Sequence, residues 1–312
     1  MYMYLHPVAE QMLKDAKASG RPNAHLLPIP EARLNFETTF AGLERPDVAG
    51  IADVEIPVEG ASIPARVYRP GADMTKRAIV VYFHGGGWLL GSVDSHDGVT
   101  RRLAVSSDMV VVSVGYRRGP ESRFPTAVDD SIAAVRWAAA HAMHFGADAE
   151  RLIIAGDSAG GNLATVAALS LRNDAQVTIR HQLLVYPVVT TDLTAGFDDD
   201  YEGIMLYGDE LQWHQDNYLA DSAEATDWRV SPLITDLHGS PPATVIMAGA
   251  DPIRPQAELY VEALRTADVP VEARTYPGML HGFFGLDMLW DESREAMQFA
   301  ADQMRAAVAA NA

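Results

Sequence analysis

Twelve consecutive residues, Leu152–Leu163, restrict what this chain can become more than any other stretch. Leu152-Ile153-Ile154-Ala155 is an unbroken apolar run, the signature of a strand buried on both faces. Gly156-Asp157-Ser158-Ala159-Gly160 then turns sharply, and the Ala- and Leu-rich residues after Gly161 have helical composition. The pattern inside the turn is G-x-S-x-G. A serine on a tight strand-to-helix turn leaves no room for side chains two positions before and after it, so glycine is needed at both. The pattern alone arises by chance in roughly one chain in ten of this composition. Its context, an apolar strand before and a helix after, is what distinguishes it from an ordinary glycine turn.

Similar units recur along the chain. Apolar runs at Ala78–Phe83, Met109–Gly115, Arg151–Gly156, Arg180–Tyr186, Ala243–Ala250 and Val271–Tyr276 read as strands. Between or after them, Ser95–Ser106, Thr126–His144, Ala159–Leu171, Pro255–Ala267 and Trp290–Ala309 read as helices. Strand–helix repeats of this kind build a mostly parallel sheet with helices on both faces. Before them, Asp53–Val58 and Ile63–Arg69 alternate around Glu59-Gly60 and predict a hairpin that adds an antiparallel edge. The expectation is a single α/β domain with an eight-stranded sheet, which 312 residues at 48% hydrophobic content amply support.

Two stretches fall outside this rhythm. Helical spacing at Pro7–Ala18 and Glu31–Gly42, separated by a Pro-rich linker at Arg21–Pro30, precedes any strand. Pro187–Pro242 separates two strands by more than fifty residues and holds one clear helical pattern, Asp209–Leu219. Insertions of that length in a compact domain are usually functional. Together the two stretches are expected to cover the carboxyl ends of the strands.

Composition closes off several chemistries. The chain has no cysteine, so thiol nucleophiles and thiolate metal sites are impossible. A formal net charge of −18 repels nucleic acid and anionic membranes. The apolar runs are too short for a bilayer span, and Met1–Pro7 has neither the basic flank nor the apolar core of a secretory leader, so a cytoplasmic location is expected. His141 and His144 are spaced for one helix face but lack a third ligand nearby, and no metal is expected.

The second motif, His84-Gly85-Gly86-Gly87-Trp88, directly follows the strand Ala78–Phe83. Successive glycines leave their amides open to a small anion, which suits a hole for the charge that develops on a carbonyl oxygen. Gly86, Gly87 and Ala159 are the candidate donors. No phosphate-binding glycine pattern is completed. A serine needs a base, and of ten histidines His281 stands out, because it follows a strand whose carboxyl end opens on the same rim as Ser158. Asp251 directly ends another strand and is the candidate acid, although before Pro252 it also suits a helix cap. Asp157 is a rival whose side chain should point away from Ser158 and bond the loop instead. Phe36, Trp88, Leu206, Tyr207, Trp213, Phe283 and Phe284 are candidate walls of a substrate pocket.

With these residues in place, the chain resembles the hormone-sensitive-lipase-like family of α/β-hydrolase esterases from about residue 50 to its end. The likeness rests on His84–Trp88, Gly156–Asn162, Tyr186-Pro187, Asp251–Arg254 and Gly278–Phe283. It implies hydrolysis of carboxylic esters by a Ser158–Asp251–His281 triad, with no cofactor, and suggests a homodimer. It also implies cap helices in residues 1–50 and a catalytic domain in 51–312 that contains an inserted cap segment at 187–242. Short to medium acyl esters are the expected substrates. An amidase or deacetylase would use the same triad, whereas a non-catalytic receptor on this fold would not need His281. Two stretches depart from the family pattern: Arg118-Gly119 stands where Leu-Ala is usual, and Pro255 where an acidic residue is usual.

Overall fold

A computed structural model describes residues 4–41, 44–74 and 76–309 of the chain. Two helices lead, α1 (Pro7–Ser19) and α2 (Ile29–Ala41). Pro7 opens α1 behind His6, whose ring accepts from the Val8 amide, and Gly20 closes it at φ +63°. Gly42, the expected end of the second helical stretch, lies outside the described residues, as do Leu43 and Met1–Met3.

The hairpin follows as β1 (Gly50–Val58) and β2 (Ala61–Arg69), with Ile56 opposite Ile63. The alternating units are β3 (Arg77–Phe83), α3 (Asp97–Ser107), β4 (Val110–Val114), α4 (Thr126–His141), β5 (Ala147–Asp157), α5 (Ala159–Leu171) and β6 (Ile179–Val185). The segment after β6 carries α6 (Leu193–Gly196) and α7 (Gly208–Tyr218), then β7 (Ala243–Ala250), α8 (Arg254–Thr266), β8 (Val271–Leu280) and α9 (Asp291–Ala309) complete the order. The eight strands form one sheet in the order β1-β2-β4-β3-β5-β6-β7-β8. β2 pairs antiparallel with both its neighbours, and every pairing from β4 to β8 is parallel.

Burial on both faces explains the unbroken apolar runs. In β3, Ile79, Val81 and Phe83 join the core under α4, α5 and α8, whereas Ala78, Val80 and Tyr82 join the core under α1, α3 and α9. A third, small cluster ties the outlying segments together: Ala32 of α2 with Leu89 and Leu90, against which Phe36 and Trp213 pack. Arg33 of α2 fixes the same contact by donating to the carbonyls of Leu89 (2.8 Å) and Gly119 (2.6 Å) and pairing with Glu121 (2.7 Å).

Several element ends differ from expectation: β1 begins at Gly50 rather than Asp53 and β5 at Ala147 rather than Arg151, and two further differences have local causes. The helix expected to His144 stops at His141, and a 3-10 turn closed by Gly146 at φ +74° follows. β8 continues past Pro277-Gly278, which read as its end in sequence, to Leu280. β8 lies at the edge of the sheet, where proline removes no needed ladder bond. The backbones approach closely here: a Cβ on Gly249 of β7 would sit 2.8 Å from the Pro277 Cα. The extension carries His281 up to the rim beside Ser158. Both departures from the family pattern have local explanations. Arg118 donates to the Gly91 carbonyl at the far end of the glycine loop, and Pro255 occupies the first turn of α8, where no amide partner is required.

Candidate active site

Ser158 sits between β5 and α5 at φ +55°, ψ −119°, a strained conformation for a residue with a side chain. Its neighbours show why glycines flank it. A Cβ on Gly156 would meet the Gly160 carbonyl oxygen at 2.2 Å, and one on Gly160 would meet that of Phe83 at 2.0 Å. The turn is held by the Ser158 amide donating to Val185 O (2.9 Å) and the Val188 amide donating to Ser158 O (3.2 Å).

His281 Nε2 lies 2.9 Å from Ser158 Oγ, and its Nδ1 lies 2.7 Å from Asp251 Oδ2. A carboxylate oxygen only accepts, so Nδ1 carries the ring hydrogen and Nε2 presents its lone pair to the serine hydroxyl. Asp251 is fully buried at the end of β7, and its other oxygen accepts from the Ile253 amide at 3.0 Å. The two sequence interpretations of Asp251 therefore coexist, one oxygen each: imidazole partner and turn cap.

The glycine loop approaches the same hydroxyl from β3. Gly86 (φ +111°) and Gly87 (φ +58°) adopt conformations that side chains avoid, and the Gly86 carbonyl closes a turn by accepting from Leu89 and Leu90. Among the described residues neither the Gly86 nor the Gly87 amide donates to a protein acceptor. Ala159, first in α5, is one of that helix's unpaired amide donors. Gly85 is different, because its amide donates to Asp157 Oδ1 at 3.0 Å. Asp157 also accepts from the Tyr82 hydroxyl (2.6 Å) and faces His96 Nε2 at 3.4 Å. Burial pushes the Asp157 carboxyl up, but His96 and Tyr82 outweigh it and hold it below its ordinary value. Asp157 thus braces the loop and turns away from Ser158, as its sequence position suggests. His84 stacks on Tyr116 at 4.3 Å, and burial lowers it to about 3, which keeps it neutral.

These groups open into a cavity of about 260 Å³ with mostly apolar walls. Of the expected wall residues, Phe36, Trp88, Leu206 and Phe284 line it. Three do not. Phe283 is wholly buried between Tyr186 and Tyr276, whereas Phe284 beside it reaches the cavity wall. Trp213 points to the Leu89–Leu90 cluster instead. Tyr207 precedes α7 and packs beside Gly203 and His25. Sequence reasoning missed most of the polar side chains that line the cavity, among them His96, His214 and Glu210. Burial lowers His214 to about 4 and it is neutral. Glu210 lies in the first turn of α7, where an acid reads simply as a complement to the helix dipole.

The chain is similar to known proteins over most of its length. A family model described as alpha/beta hydrolase fold matches residues 80–285. Ethyl acetate hydrolase of Pseudomonas putida is 33% identical over 306 residues, which cover 95% of this chain and 96% of that one. Carboxylesterase NlhH of Mycobacterium tuberculosis is 38% identical over 239 residues, 75% of each chain. Among solved structures, the hyperthermophilic esterase from the archaeon Pyrobaculum calidifontis superposes with a TM-score of 0.91 at 38% identity, covering 98% of this chain and 100% of that one.

Proposed function

Since the chain belongs to the alpha/beta hydrolase family and is a carboxylic ester hydrolase, we propose that Ser158, His281 and Asp251 are its nucleophile, base and orienting acid. The observation that carries this is the unbroken chain of contacts from Asp251 to His281 to Ser158, 2.7 and 2.9 Å long. Ser158 Oγ attacks the ester carbonyl carbon while its proton passes to His281 Nε2. The Gly86, Gly87 and Ala159 amides donate to the oxyanion that forms. Collapse breaks the bond to the alcohol oxygen, which leaves with the proton from Nε2. A water then gives a proton to the same nitrogen and attacks the acyl-enzyme carbonyl; collapse breaks the bond to Ser158 Oγ, which takes the proton back from Nε2 as the acid leaves. Asp251 holds the ring tautomer and offsets the imidazolium charge.

The substrates in this reading are short- to medium-chain esters. A cavity of about 260 Å³ falls just below the roughly 300–1,000 Å³ usual for ligand pockets, and the Pseudomonas relative is named for ethyl acetate. Residues 1–50 and the segment 187–242 act as the cap, which is supported by Phe36, Leu206 and Leu211 lining the cavity from those segments.

Diethyl p-nitrophenyl phosphate tests the assignment. The expected result is release of one nitrophenolate per chain, loss of p-nitrophenyl butyrate hydrolysis, and a diethylphosphoryl group on the peptide containing Ser158. A label elsewhere, or a folded Ser158→Ala variant that still turns over the ester, overturns it.

A further inference from the structure

Two acidic residues outside the proposed triad line the cavity, Asp157, which braces the glycine loop, and Glu210, which has no such role. Glu210 lines the cavity from α7, with its side chain 12% exposed. No hydrogen bond reaches its carboxyl group among the described residues, and the nearest cationic candidate, His25 Nδ1, stands 4.0 Å away. A carboxylate withdrawn from water without a donor is costly, and a bound cation would relieve that cost.

We propose that Glu210 is a specificity-determining residue that favours esters carrying a cationic group, an alkylammonium, on the alcohol side of the scissile bond. The inference rests on the esterase reading of the same site. The alcohol side follows from His281: its Nε2 must reach the leaving oxygen, and His281 and Glu210 line the same cavity. Phe36 and Trp88 supply aromatic wall, and Leu206 and Leu211 apolar wall, for the alkyl groups of an ammonium. The chain's net charge of −18 draws cations toward the protein in general.

Four other titratable groups face or neighbour Glu210: Asp209 and His214 on its own helix, His25 on the turn before α2, and His281 after β8. Burial first, and Asp209 second, push the Glu210 carboxyl up to about 7, with His281 acting the other way. Preference for a cation should therefore appear as pH rises through neutrality.

The test compares butyrylcholine with 3,3-dimethylbutyl butyrate, which match in shape and differ by one permanent charge. The ratio of their kcat/KM values cancels any titration the two reactions share, including that of His281. In the wild-type enzyme the ratio should rise about tenfold between pH 5.5 and 8.5, and in Glu210→Gln it should stay low and flat. A flat wild-type ratio overturns the inference without any variant having to fold. A rise that persists in Glu210→Gln also overturns it, because the preference then comes from another group. Hydrolysis of the neutral ester with no charge preference leaves the esterase reading standing, whereas hydrolysis of neither ester removes both.

Discussion

A Cβ built on Gly87 would lie 2.2 Å from Nδ1 of His214. The helix α7 of the inserted segment thus presses an imidazole directly against one of the proposed oxyanion donors. Gly87 is constrained twice, by its φ of +58° and by that ring. Gly87→Ala should therefore lose about 10²–10³ in kcat on p-nitrophenyl butyrate. Adding His214→Ala to Gly87→Ala removes the clash but not the backbone strain, so activity should recover in part. Simple additivity of the two losses would contradict this account.

Asp251→Asn separates orientation from folding. The asparagine oxygen still accepts from the Ile253 amide, so the turn and the melting temperature should survive. The remaining amide group no longer holds the imidazole in the needed tautomer, and kcat should fall by about 10⁴. Circular dichroism and ester hydrolysis together check the pair of outcomes, and a variant within tenfold of wild type would remove Asp251 from the mechanism.

Acyl-chain preference follows from the small cavity. Across p-nitrophenyl esters from C2 to C16, kcat/KM should peak below C12. A maximum at C12 or longer would require a channel beyond the described walls.

Acid sensitivity should trace partly to Asp97, whose side chain is fully buried and pairs with Arg101 at 2.7 Å and the Tyr68 hydroxyl at 2.8 Å. Burial pushes the Asp97 carboxyl up, but Tyr68, Arg101 and Arg45 together hold it below its ordinary value. A depressed carboxyl adds stability that is present above the unfolded-state pKa and is lost as pH falls through the folded-state one. Asp97→Asn should lower stability at pH 7 by about 3 kcal/mol and flatten its decline below pH 4. Urea unfolding at several pH values measures both.

The sequence carried the sheet and the three separated polar residues because both leave strong local marks. Strands buried on two faces read as unbroken apolar runs too short for helices and rich in β-branched residues, and residues ending such strands share a rim whatever their distance in the chain. Ser158 and His281 are 123 positions apart, yet each follows its strand directly. The pocket walls left no such mark. Phe283 and Phe284 are identical neighbours, and no local pattern distinguishes the one that meets the cavity. Glu210 looks like any first-turn acid until burial is known. Pro277-Gly278 signals a break, and only the edge position of β8 lets the strand run on.

The placement of β8 has a consequence for biosynthesis. A ribosome delivers the elbow serine and the glycine loop well before it delivers residue 281, and the strand carrying that residue joins the open margin of the sheet beside β7. Until then Ser158 lacks His281, the imidazole that stands 2.9 Å from its hydroxyl in the folded protein. Docking of β8, which α9 then covers, both extends the sheet and brings the proposed base to the proposed nucleophile.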